Sequence, residues 1–111
     1  MPKTKKIKPN PSGSELHAHR ISELMLDKKA LDIKIIDVRT ITTLTDFFVI
    51  CTSESEPQSR AITDHVNETM KKEGTASWHT EGYQYLDWVL VDFVSIVVHI
   101  FSKKAREYYE F

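Results

Sequence analysis

The chain has 111 residues, 41% of them hydrophobic and 28% charged, which is ordinary globular usage and the size of one domain with a modest core. Fifteen Lys and Arg against sixteen Asp and Glu give a formal charge of -1, so no global field draws the protein to a phosphate backbone. No apolar run is long enough to span a bilayer, and the single cysteine, Cys51, excludes an intrachain disulfide. The start has neither the apolar segment of a secretory signal nor the Arg-rich pattern of a transit peptide, so the expected location is the cytoplasm, with no membrane partner.

Residues 1–13 carry Lys3, Lys5, Lys6 and Lys8 with Pro2, Pro9 and Pro11 and almost nothing to bury. They are expected to form a basic flexible tail, solvated or in weak electrostatic contact with a polyanion, ahead of one domain over 14–111. Ser14 can cap a first helix whose apolar side holds Ala18, Ile21, Leu24 and Met25. Ile33 to Val38 predicts a strand. Phe47 to Cys51, apolar at every position, predicts a central strand covered on both faces.

Ser55, Pro57 and Gln58 then mark a helix start: serine at the cap, proline in the first turn, glutamine as the return arm of a capping box. The pairs Ala61-Ile62, His65-Val66 and Thr69-Met70 predict a buried stripe, and Lys71, Lys72 and Gly74 favour an end at Glu73. A short strand is expected at 76–80, a loop through Gly82, strands at 88–93 and 96–101, and a terminal helix at 104–110. The order predicts an α/β domain with a mixed sheet of about five strands and helices chiefly on one side.

A two-residue turn at Val94-Ser95 would pair Phe93 with Ile96, Asp92 with Val97, Leu90 with His99 and Trp88 with Phe101. One face is then Val89, Val91, Phe93, Ile96, Val98 and Ile100, and belongs against the helices. The other holds Trp88, Leu90, Asp92, Val97, His99 and Phe101, aromatic anchors beside an acid and an imidazole. With Tyr83 from the preceding loop, these are the candidate partner-binding residues. The alternative is that a further element covers this face and Asp92 takes a local partner.

Enzyme signatures are missing. Nucleotidyl transfer needs carboxylates at i and i+2 on a strand to hold divalent metal, with a Gly-Ser pair nearby for phosphate. Here Gly13-Ser14 precedes a helix, Asp32 and Asp37 fall on opposite faces by simple alternation, and Glu54-x-Glu56 falls in a loop before Pro57. His17-x-His19 lacks the i, i+4 spacing of a helical zinc site, His65 reads as a half-buried packing residue, and Cys51 as a small buried hydrophobe. No metal, cofactor or catalytic residue is therefore expected.

From about Leu24 to Tyr109 the chain resembles the Iojap-related ribosomal silencing factor family. The resemblance is carried by Ala30-Leu31-Asp32-Ile33 with Asp37-Val38, Leu44-Thr45-Asp46-Phe47-Phe48-Val49-Ile50, Glu81-Gly82-Tyr83, Trp88-Val89-Leu90-Val91-Asp92, Val97-Val98-His99-Ile100-Phe101 and Arg106-Glu107-Tyr108-Tyr109. It implies a nucleotidyltransferase-like α/β fold without that superfamily's catalytic residues. It also implies binding to ribosomal protein L-fourteen on the large ribosomal subunit, which obstructs joining of the small subunit and represses translation. Trp88 and Asp92 match the family's fourth-strand tryptophan and aspartate. Val94-Ser95 stands where the family has Gly-Asp, and Thr52 to Ser55 where it has a Gly-containing loop. A large-subunit assembly factor, or a nucleotide-binding protein of nucleotidyltransferase type, are the alternative readings, and a homodimer is left open.

Overall fold

The computed structural model describes residues 13–108; the Lys-rich lead-in and the last three residues lie outside the described range. The elements run α1 (Gly13–Asp27), β1 (Leu31–Asp37), β2 (Phe47–Ser53), α2 (Glu56–Lys72), β3 (His79–Glu81), β4 (Trp88–Asp92), β5 (Ile96–Ser102) and α3 (Lys103–Tyr108). One five-stranded sheet has the order β1-β2-β5-β4-β3. Only β2 and β5 run parallel, Phe47 opposite Ile96 and Ser53 opposite Ser102; the other neighbours are antiparallel.

Local chemistry sets the start of α2 and the ends of both long helices, whereas α1 already includes Gly13, so Ser14, expected to cap it, lies inside its first turn. In α1 the residues Ala18, Ile21, Leu24 and Met25 are all buried, as their spacing predicts. The helix stops when Lys29 turns left-handed at φ 64, with Ala30 N–H donating to Met25 O and Lys29 N–H to Leu26 O. That is a Schellman ending with lysine where glycine would be unstrained. At the other helix, Ser55 Oγ accepts the Gln58 N–H at 3.2 Å. The return arm is displaced from the expected capping box: Gln58 Oε1 accepts the N–H of Glu54, at 2.7 Å, one residue before the cap. Its amide nitrogen donates to the carbonyls of Lys28 and Lys29, tying the start of α2 to the end of α1. Gly74, at φ 101, closes α2 with a second Schellman pattern, Thr75 N–H to Met70 O and Gly74 N–H to Lys71 O.

The buried stripe of α2 is Ser59, Ile62, Thr63, Val66 and Met70, so the helix is rotated from the expected stripe and Ala61, His65 and Thr69 are only half-buried. His65 bridges the helices instead, its Nε2 3.0 Å from Asp27 Oδ2. Between α1, α2 and the sheet lies one core of Ile21, Leu24, Met25, Ile62, Val66 and Met70 against Val49, Cys51, Val89, Val91, Phe93, Ile96, Val98 and Ile100. Truncating one of its large aliphatics to alanine costs about 2–5 kcal/mol. The hairpin face assigned to the helices is therefore the core face, and the register of β4 on β5 is the predicted one.

Further expectations are corrected. The strand placed at 76–80 is only His79–Glu81, the residues that pair with Asp92, Val91 and Leu90 of β4, and Trp78 before it is exposed. The strand Phe47–Ser53 is interior and buried on both faces, but β5 is the middle strand. In β1 the register shifts between Leu31 and Lys34, with Asp32 at φ 48, so a bulge breaks the alternation on which the Asp32 and Asp37 comparison relied. The helices also divide: α1 and α2 cover the core face, whereas α3 lies over one end of the other face, where Arg106 Nη1 donates to Thr52 Oγ1 at 2.7 Å.

Candidate functional site

Away from α1 and α2, the sheet turns its second face outward. Leu90 and Asp92 of β4, Val97 and His99 of β5 and Phe48 of β2 form the floor of a groove of about 840 Å³. Val38, Ile41, Thr42, Leu44 and Thr45 supply one wall, with Trp78 and Val94 completing the rim. Ile41, Leu44, Trp78 and Val94 are exposed; Leu44 is 86% accessible. Aliphatic and aromatic groups held so far into solvent do not serve the core, and contiguous patches of this kind mark interaction surfaces.

The wall is a looped segment with fastened ends. Val38 N–H donates to Asp46 O at 2.9 Å, and the N–H groups of Asp46 and Phe47 both donate to Ser95 O, at 2.9 and 3.2 Å. Arg39 grips the Asp37 carboxylate through Nε and Nη2, at 2.9 and 2.6 Å, and lies 4.9 Å from the centre of the Phe47 ring. On the opposite side Trp78 N–H donates to Asp92 O at 2.6 Å. Both rims are thus bonded to the final hairpin, which makes the groove a preformed shape.

The seven residues expected to bind a partner are not all brought together. Leu90, Asp92, Val97 and His99 line the groove. Trp88, 39% exposed, sits beyond its end beside α3, sharing a hollow with Lys104, Ala105 and Tyr108. Phe101 is fully buried, stacked on His99 with ring planes 7° apart and centroids 6.1 Å apart, so it supports the surface from below. Tyr83 leaves the face altogether: its hydroxyl donates to Asp64 of α2 at 3.1 Å, and burial together with that carboxylate raises its pKa. The proposed covering element exists in part, since α3 hides the Phe101 end.

The polar groups on this face are committed locally. Trp88 Nε1 donates to His99 Nδ1 at 3.0 Å, the Phe48 ring meets His99 edge-on at 4.8 Å, and burial lowers the His99 pKa to about 4. Asp92 Oδ1 accepts the Val94 N–H at 2.7 Å, holding the hairpin turn. The sequence reading missed Ile41, Leu44, Trp78, Phe48 and Val94. Large apolar residues among turn-forming neighbours were the available signal for the first three, and Phe48 lies on the same side as Val97, its neighbour in β5.

Elsewhere the structure offers less. A polar cleft of about 430 Å³ holds Lys34, Lys103 and Arg106 together with Asp32 and Glu107, and Arg106 there is engaged by Thr52 and the Asp32 carbonyl. Among the described residues, no three His, Cys, Asp or Glu are grouped as a metal site. Burial pushes the Cys51 thiol up to about 12, the condition of an inert packing residue. No described helix is long and apolar enough to cross a membrane.

Fold and site together define a small α/β protein with a mixed sheet, two long helices over one face and, on the other, an apolar groove with a short helix beyond its end. Its relatives give the class a name. Residues 11–111 match the model of the family described as ribosomal silencing factor during starvation, and the chain belongs to that family. A ribosomal silencing factor of Halalkalibacterium halodurans is 37% identical over 83 residues, 75% of this chain and 71% of the relative. One from Haemophilus influenzae is 38% identical over 82 residues, 74% of this chain and 80% of that one. A crystal structure of a Chromobacterium violaceum protein superposes with a TM-score of 0.85 at 28% identity, covering 88% of this chain and 82% of the other. Membership assigns the chain to ribosome-associated silencing of translation.

Proposed function

We propose that the protein docks the groove-bearing face of its sheet on the large ribosomal subunit, against ribosomal protein L-fourteen, and so blocks entry of the small subunit. The action is steric occlusion, without catalysis, cofactor or metal. The observation that carries this reading is the preformed apolar groove with Ile41, Leu44 and Trp78 exposed on its rim. A surface of that chemistry suits a protein partner. Together with a formal charge of -1, it is poorly suited to a bare RNA backbone as the principal contact. In this reading 14–111 is the acting domain, and the lysines of the lead-in add at most a weak, salt-sensitive contact to ribosomal RNA.

Sedimentation with separated ribosomal subunits at several salt concentrations tests it. The protein is expected to pellet with large subunits alone, with shallow salt dependence, and to reduce the yield of joined ribosomes when added first. Equal pelleting with small subunits, or tight large-subunit binding that leaves joining unaffected, overturns the occlusion reading. Specific calorimetric binding of a nucleoside triphosphate with magnesium would revive the nucleotide-binding alternative.

A further inference from the structure

Val94 holds a backbone conformation that its own side chain opposes. Its φ is 74, and Ser95 N–H donates to Phe93 O at 2.9 Å, closing a three-residue γ-turn of the rare positive-φ kind. A β-branched residue there is a steric outlier, whereas glycine enters that region freely. The bonds that fix the turn do not require valine. Asp92 Oδ1 takes the Val94 N–H, and Ser95 O takes two N–H groups from the start of β2. What valine adds is its side chain, which is 60% exposed and stands on the groove rim with Ile41 and Leu44. Little of it is buried, so it returns little to the fold for the strain it carries.

We propose that Val94 is a specificity-determining contact. With Ile41 and Leu44 it completes an aliphatic rim that meets an apolar patch on a protein of the large subunit. This rests on the docking reading above and sharpens it. Ser95 O bonds the turn to the strand that follows the 38–46 loop, so the three side chains are presented on one bonded unit. Little ordering is then left to be done on binding.

Val94→Gly, Val94→Asn and Val94→Leu, each measured for thermal midpoint and for affinity to isolated large subunits, test the inference. Val94→Gly is expected to raise the midpoint by roughly 4 °C as strain is released, and to weaken binding about fivefold through lost apolar contact. Val94→Asn should move both readings the same way without glycine's added freedom in the unfolded chain. Val94→Leu, still aliphatic, should bind within about twofold of the parent. A lower midpoint for both Val94→Gly and Val94→Asn overturns the strain argument. Higher midpoints with unchanged affinity remove Val94 from the interface and leave the docking reading standing. If the parent protein itself fails to bind large subunits, both fall.

Discussion

The indole N–H of Trp88 donates to Nδ1 of His99 across 3.0 Å, and that bond fixes the protonation of the imidazole. Indole nitrogen can only donate, so Nδ1 must accept and the ring is the neutral tautomer with its proton on Nε2. Burial acts in the same direction, lowering the His99 pKa from 6.5 to about 4. The folded protein therefore binds fewer protons at this site than the unfolded chain between those values. Stability should be fully present above pH 6.5 and decline as the pH falls towards about 4, by roughly 3 kcal/mol from this group. Urea midpoints compared at pH 7 and pH 4.5 check it: His99→Gln should flatten the dependence, and an unchanged slope in that variant would assign the loss elsewhere.

How much of this was legible follows from what alternation can encode. The β4–β5 register and its two faces were readable because Val89, Val91, Val98 and Ile100 alternate strictly with Leu90, Asp92, Val97 and His99. The groove walls were not, because Ile41, Leu44 and Trp78 lie outside regular elements, where no period reports direction. Tyr83 was misplaced for a related reason: Gly82 at φ 80 turns the chain, and the tyrosine is carried to Asp64 on α2. The positive φ of Val94 contradicts the residue's own preference, and its signal in the sequence was the two-residue turn itself, whose primed types need φ above zero at that position.

Gln58 joins three segments through one side chain, taking the Glu54 N–H and giving its amide protons to Lys28 O and Lys29 O. Gln58→Ala removes these bonds and a longer one from Ser53 Oγ to Gln58 Oε1 at 3.5 Å, and with partial exposure the expected loss is about 2 kcal/mol. Gln58→Glu keeps the acceptor and deletes the donors, so it should fall between the two in chemical denaturation. Equal stability of parent and alanine variant would show the junction to be held by packing alone.

Thr45 Oγ1, beside the groove, is buried and has no hydrogen-bond partner among the described residues. Replacing that hydroxyl with a methyl keeps the shape and removes an unsatisfied polar group. Thr45→Val is expected to stabilise the fold by about 1 kcal/mol. A fall in the thermal midpoint would mean that the hydroxyl is satisfied in solution by water.

Gly82 is required by space as well as by its φ of 80, since a Cβ there would meet Trp88 O at 2.1 Å. Backbone cannot yield as a flexible side chain can. Gly82→Ala should therefore cost roughly 3 kcal/mol and shift the first residue of β4. The near-ultraviolet signal of Trp88, read in a Trp78→Phe background, is expected to change with it.

Trp88 occupies an unusual position for an anchor. It lies beside α3 and outside the groove, spread over Phe101 at 5.2 Å between ring centres and held by His99, with part of its surface open. If the docking surface extends past the groove to centre on Trp88, where truncation of a tryptophan commonly costs about 2 kcal/mol, Trp88→Ala should weaken large-subunit binding roughly 30-fold. The same change uncovers Phe101 and is expected to cost the fold a similar amount, so folding must be checked by circular dichroism before binding is read. Trp88→Phe separates the effects: it retains a ring over Phe101 and gives up only the bond to His99. If the surface at Trp88 touches the partner, Trp88→Phe should keep most of the fold stability and lose an intermediate share of affinity. Asp92→Asn offers a contrast, because its amide oxygen can still accept the Val94 N–H while the charge is gone; weaker binding with an unchanged melting curve would place a cation or backbone donors of the partner opposite Asp92. A folded Trp88→Ala protein that still blocks subunit joining at the parent concentration would confine the docking surface to the groove between Leu44 and Val97.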